Sequence, residues 1–474
     1  MDRNTLEKAL SYISDQHIAN AVKTKRKRPY WVAITAAATA AAILALVLLH
    51  GMLPQNPQPQ PEYRILANEV RLAATPRVHA RPSRQDYGDI ADFQTALDSW
   101  HTKLAAQRAL KNDALGNLDS FFSDSSAIFL SGEGNQLWSP VNAYIELAML
   151  SELTAGSSQQ QILNLLGTKD ILTLRQHISA IFRSAYCSDE NGTSKIANSL
   201  WLQDGLFCNF DTLNTLSSDY YTSIYSGELD SNEIGNAIAD WLEENTGGLL
   251  VDYPPEKLNA PVVSALYSTI YFQSQWLEAF PVDRNVEDLF HSPTGDRIAT
   301  YMRRSCALNY CRGDNYGAVC LALKNGGSMW FILPDANSSV QDVLQNKQYI
   351  NMVLSQEWEN KQYVKANLKV PKFDVSGKKS LTDGLKQLGV TDIFSGEDGN
   401  FSSFTTSPLY ISTINQAVRV QIDEEGVTGA AYTETLSMGM QPPTDIIDFT
   451  LDRPFLFVVE RDNIPLFTGV VNNP

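Results

Sequence analysis

The chain has 474 residues, of which 43% are hydrophobic, 10% aromatic and 19% charged, enough for a large core and unlike a disordered chain. Its formal net charge of −16 excludes nucleic acid as a partner, because a binder must set clustered Lys and Arg against phosphates. None of the five cysteines, Cys187, Cys208, Cys306, Cys311 and Cys320, stands in a C-x-x-C pair, so the sequence carries no zinc-site signature.

In chain order, residues 1–22 place Leu6, Leu10, Ile13, Ile18 and Val22 at roughly helical spacing, as a small amphipathic helix does. Residues 31–49 carry no charge, and at ~1.5 Å per residue such a helix nearly spans a ~30 Å hydrocarbon core. Lys23, Lys25, Arg26, Lys27 and Arg28 precede it, which puts the N-terminus on the cytoplasmic side and the rest outside. Tyr30 and Trp31 stand where an interfacial aromatic belt belongs. No A-x-A cleavage site follows at Leu49-His50-Gly51, which favours an uncleaved anchor over a signal peptide. Pro54, Pro57, Pro59 and Pro61 then favour extended polyproline II, a stiff spacer. The expected organisation is a cytoplasmic tail 1–28, a transmembrane anchor 29–53, a Pro/Gln-rich linker 54–91 and a globular domain 92–474.

Within the globular part, helical patterns run over 140–150, then 159–166 after Gly156, and over 233–244 with a stop at Gly247-Gly248. Strand patterns run over 265–272, 328–333, 365–370, 416–422 and 454–459. Helices crowd the first half and strands the second, which predicts an α+β domain with large antiparallel sheets. Cys306 and Cys311 either pair across a local turn or stay, like the rest, buried thiols. The sequence has no G-x-S-x-G, H-E-x-x-H or G-x-x-x-x-G-K-[ST], and nothing recommends an enzyme, a metal or a cofactor.

Several ordered motifs carry a resemblance. Trp138-Ser139-Pro140-Val141-Asn142, continuing through Ala148-Met149-Leu150 and Gly156 to Leu166-Gly167, is followed by Ile270-Tyr271-Phe272…Trp276…Phe280 and Phe290-His291. Ser328-Met329, Leu333-Pro334 and Val370-Pro371-Lys372-Phe373 come next, then Asp452-Arg453-Pro454-Phe455 with Pro465-Leu466-Phe467-Thr468-Gly469. Over residues 115–474 this series resembles the serpin family. The resemblance implies three β-sheets, about nine helices and an exposed reactive-centre loop near the C-terminus. It implies a suicide inhibitor of serine proteases that acts as a single chain. The protease cleaves the loop and is carried away on it as the loop inserts into the main sheet. A non-inhibitory serpin that binds a partner is the alternative, and inhibition of cysteine proteases is a further one.

Asp423-Glu424-Glu425-Gly426 resembles the start of that loop, with Glu424, Glu425, Gly426, Val427, Thr428, Gly429, Ala430 and Ala431 as its hinge. The family places the scissile residue fourteen positions after the glycine, at Met440, with the cut before Gln441; Gly439, Met438 and Leu436 are alternatives. Methionine suits proteases with an apolar primary pocket, of the elastase or chymotrypsin kind. An inserted strand alternates faces with period two. Val427, Gly429, Ala431, Thr433, Thr435, Ser437 and Gly439 form a small set that turns inward, and Tyr432 and Glu434 fall on the other face. Val427 and Thr428 depart from the usual hinge pair, and Gly429 weakens a strand interior. In the cluster that governs sheet opening, Ser139 matches the family, and Asn142, Ser268 and Gln416 stand where Ser, Asn and His are usual. Trp276 matches the tryptophan under the loop's entry. The anchor and spacer suggest a bacterial cell surface.

Overall fold

The computed structural model describes residues 63–65, 70–71, 82–189, 192–248, 264–355, 360–411, 414–427, 443 and 445–474. Residues 31–49, expected to cross a membrane, lie outside them, as do Thr428 to Ala431 of the hinge and the Met440–Gln441 bond. Among the described residues no helix is long and apolar enough to span a bilayer.

In chain order the first elements are strands β1 (Tyr63–Ile65) and β2 (Val70–Arg71) and a 40-residue helix α1 (Ile90–Phe129). Asp89 caps α1 by accepting from the Ala91 N–H. Strand β3 (Gln136–Trp138) leads into α2 (Pro140–Leu153), which Ser139 caps and Pro140 opens at its first helical position. Every residue of α2 is buried, so it runs through the centre of the core. Then come α3 (Gly156–Leu165), α4 (Ile171–Ala185), β4 (Cys187–Asp189), β5 (Gly192–Gln203), β6 (Phe207–Asn209), α5 (Phe210–Asp219), β7 (Thr222–Gly227) and α6 (Asn232–Asn245). Helix α6 ends where predicted, with Gly247 at φ +59°.

The second half is mostly strand: β8 (Ser264–Gln275), β9 (Val286–Ser292), β10 (Gly295–Arg312), β11 (Tyr316–Ala322) and β12 (Gly327–Pro334). Helices α7 (Val340–Asn346) and α8 (Gln348–Ser355) interrupt it, then β13 (Lys361–Pro371), β14 (Phe373–Ser380) and α9 (Thr382–Gln387) follow. The chain closes with β15 (Asn415–Ile422), β16 (Gly426–Val427), β17 (Ile446–Thr450), β18 (Phe455–Arg461) and β19 (Ile464–Val471).

Three sheets result among the described residues. One orders β14-β15-β16-β8-β5-β7-β2, with β4 beside β5. A second orders β17-β13-β10-β11-β12-β18-β19-β3, with β9 beside β10. The third is the β1–β6 pair. The first two enclose one core between them with α2 inside it. A smaller cluster of Trp201, Leu229, Ile238, Trp241 and Leu242 seats α6 on the opposite face of the first sheet.

One feature differs from the sequence reading. The stretch 54–91, expected to be linker, contains β1 and β2, which pair antiparallel with β6 and β7. The cause for β1 is a distant partner: the Tyr63 ring stacks on Phe207 at 5.4 Å, and Arg64 lies 5.3 Å over the Phe210 ring. None of the five cysteines is in a disulfide, which is the thiol state the sequence left open for Cys306 and Cys311. Cys306 and Cys311 share the continuous strand β10, with no turn between them.

Candidate functional site

The site lies at the head of the first sheet, where β15 turns back on itself. Asp423 shapes the turn: its carboxylate accepts from the N–H groups of Glu425 at 2.9 Å and Gly426 at 3.1 Å. The chain then enters the sheet between β8 and β15 as the two-residue strand β16. Gly426 pairs with Gln275, while Val427 pairs with Ser274 on one side and Ile422 on the other. A Cβ at Gly426 would stand 2.2 Å from the Ser274 carbonyl oxygen, so only glycine passes here. Val427, the first of the small inward set, is 1% exposed and joins the core.

Trp276 holds this entry. Its backbone N–H donates to the Glu425 carbonyl at 2.8 Å and its indole Nε1–H to the Asp423 carbonyl at 2.9 Å. The ring is 1% exposed and packs edge-on against Phe280, whose N–H donates to the Glu424 carbonyl at 2.9 Å. Glu424 itself is buried, with Lys372 Nζ 2.6 Å from its Oε1 and the Asn285 amide donating to the same oxygen. Burial opposes ionisation of this carboxyl, but the Lys372 and Asn285 hydrogen bonds outweigh it and hold its pKa below the ordinary value of 4.5.

Lower in the sheet, Gln416 on β15 grips the start of α2. Its Oε1 accepts from the Ser139 N–H at 2.6 Å and its Nε2 donates to the Ser139 carbonyl at 3.0 Å. The structure therefore brings Ser139 and Gln416 into direct contact. Asn142 and Ser268 are both buried, but neither side chain joins this pair.

Sequence reasoning missed Lys372 and Asn285 as partners of Glu424. Lys372 was visible only as part of the Val370–Phe373 motif, and Asn285 carried no signal, because these contacts join segments more than fifty residues apart.

Residues 125–474 match the model of a family described as "Serpin (serine protease inhibitor)". Serpin-ZX of Arabidopsis thaliana is 28% identical, covering 73% of this chain and 93% of its own length. A "Serine protease inhibitor" of Cyanea capillata is 27% identical (75% and 96% covered), and an "Uncharacterized serpin-like protein" of Methanosarcina acetivorans also 27% (72% and 82%). Among solved structures, the thermophilic serpin tengpin in its native state superposes with a TM-score of 0.69 at 23% identity, covering 76% of this chain and 93% of tengpin. Human thyroxine-binding globulin in complex with its hormone gives 0.64 at 21%, covering 75% and 98%. Serpins are inhibitors and binding proteins rather than catalysts. With the strand order, the buried α2 and a glycine-led strand entering the first sheet, the family match leaves one conclusion: this chain belongs to the serpin family.

Proposed function

We propose that the protein inhibits extracellular serine proteases by loop cleavage and insertion. The observation that carries the proposal is the seating of Gly426 and Val427 between β8 and β15. The small residues at every second position beyond Val427 suit continuation of that strand. The protease serine attacks the Met440 carbonyl, the Gln441 amine leaves, and an acyl ester remains. Insertion of the loop then outruns hydrolysis of that ester by water. Met440 fits a protease with an apolar primary pocket, and Gly439, Met438 and Leu436 are the neighbouring choices.

Residues 31–49 serve as the membrane anchor in this reading. The tail 1–28 is cytoplasmic and the domain from about residue 92 is outside, on a bacterial cell surface. One inhibitory domain takes one protease.

The test mixes the protein with elastase-like, chymotrypsin-like and trypsin-like proteases, followed by denaturing gels and mass spectrometry. A covalent adduct with a released fragment beginning at Gln441 is expected. Cleavage with no adduct and full protease activity overturns the inhibitory reading. A non-inhibitory binding role is the second reading, favoured by Gly429 in the path of the inserting strand. Thyroxine-binding globulin, which superposes on this fold, has a structure as a hormone complex.

A further inference from the structure

Strand β17 brings the chain back into the second sheet beside β13, and the two run parallel, with Ile446 opposite Lys365 and Asp448 opposite Asn367. Side chains alternate faces along such strands. Val364, Ala366, Leu368 and Phe449 turn into the core, so Lys365 and Ile446 fall on the outer face, with Tyr363 two positions back along β13. Ile446 is 63% exposed and Tyr363 42%. Lys365 is exposed beside them, as is Arg303, which stands opposite Lys369 on β10.

The polar groups of this face are of two kinds. Some are committed within the sheet: Lys369 lies 2.5 Å from Asp288, and Asn367 accepts from Ser305 and donates to Asp448, each at 2.8 Å. Lys365 and Arg303 have no charged partner among the described residues. A chain with a formal net charge of −16 thus presents here an exposed apolar pair flanked by two uncommitted cations.

The place of this face relative to the reactive loop says what covers it. Ile446 follows Gln441, whose amine leaves in the proposed cleavage, by five residues, which is no more than ~18 Å of chain. Because β17 and β13 are parallel, that chain arrives from the Lys361 end of β13, the end that carries Tyr363. A protease domain of about 220 residues has a radius of gyration of ~17 Å, so it is wider than this tether is long. Seated on the Met440–Gln441 bond, it overlies the face on the leaving-group side of its cleft. Tyrosine and arginine are the side chains that most often anchor an interface, and exposed charges steer the encounter.

We propose that Tyr363, Ile446, Lys365 and Arg303 form a second docking face for the target protease. It selects a protease whose surface beside the leaving-group side of the cleft is acidic around an apolar contact. The inference rests on the loop cleavage proposed above.

The full-length chain is compared with two double variants, Lys365→Glu with Arg303→Glu, and Tyr363→Thr with Ile446→Thr, the latter pair keeping a residue suited to strands. The probes are an anionic and a cationic protease that share a chymotrypsin-like primary pocket. Rate constants for loop cleavage are measured at ionic strengths of about 0.05 M and about 0.3 M. A synthetic peptide of residues 434–450 serves as the control without the face. The unaltered chain is expected to favour the anionic protease. Charge reversal is expected to slow that protease about tenfold at low salt and to lose its effect at high salt. The Thr variant is expected to slow both proteases several-fold at either salt, with thermal midpoints unchanged because the side chains are exposed. Unaltered rate constants in both double variants overturn the proposal. An equal loss in the peptide carrying Ile446→Thr also overturns it, since Ile446 is then read inside the cleft. A dimer that the Thr variant abolishes in sedimentation assigns the face to a second copy and overturns it too. An adduct that forms at unaltered rates sinks the face alone; altered rates without an adduct support the face and sink the inhibitory reading.

Discussion

Glu424 sits in the turn that leads into β16, and its carbonyl accepts from the Phe280 N–H. It is buried and charged, and Lys372 and Asn285 are what make that tolerable. Its folded pKa lies below 4.5, so its contribution is complete above that value and is lost as pH falls through the lower, folded pKa. Lys372→Ala is expected to cost about 2 kcal/mol at pH 7, the range for a charged hydrogen bond. The difference from wild type should shrink in acid, well below pH 4.5, as scanning calorimetry at several pH values would show. Glu146, in the buried helix α2, behaves oppositely. Burial pushes its carboxyl up from 4.5 to about 8. The folded chain then binds more protons than the unfolded one between those values, so stability falls as pH rises across that window. Glu146→Gln should leave the midpoint nearly unchanged at pH 4.5 and raise it by several degrees at pH 8, measured by thermal unfolding. Neither ionisation was legible in the sequence. Glu146 reads as one polar residue in an apolar run, and nothing local says that all sides of α2 are covered.

Among the elements, those with strong local signals were the legible ones. Helix α2 announces itself by Ser139 and Pro140, and β8, β12, β13, β15 and β18 by β-branched and aromatic runs; all lie where the pattern put them, with ends shifted by a few residues. Helix α1 was not read, because its apolar residues do not keep to one side. Its exposed first half and its second half, buried at Ala114, Leu118, Phe121 and Phe122, obey different patterns. Strands β1, β2 and β16 have two or three residues, too few for a period to show, and exist only because a distant partner supplies the edge. Even so, the alternation of small residues that begins at Val427 put that residue on the inner face, where it lies. The glycine before it is equally constrained. In Gly426→Ala the new methyl meets the backbone of Ser274 and Gln275, which cannot rotate away. Overpacking of this kind costs about 1–3 kcal/mol. The variant should divert roughly tenfold more molecules to simple cleavage, read as moles of inhibitor needed per mole of protease silenced.

At the scale of the molecule, the sheet that receives β16 lies between the shared core and α6, which packs on β5, β7 and β8. Each inserted residue exchanges water for ladder hydrogen bonds, and the native chain is expected to be far less stable than the cleaved one. Proteolysis within residues 436–441 should therefore raise the thermal midpoint by tens of degrees; an unchanged midpoint would mean that no insertion follows. The seated pair Gly426–Val427 also bears on timing. Capture is a race between a zipper and a hydrolytic clock, and the slowest part of any zipper is engaging its first teeth. On the inhibitory reading proposed above, the first of them, Gly426 and Val427, are engaged before the cut, and the zipper starts without a lag.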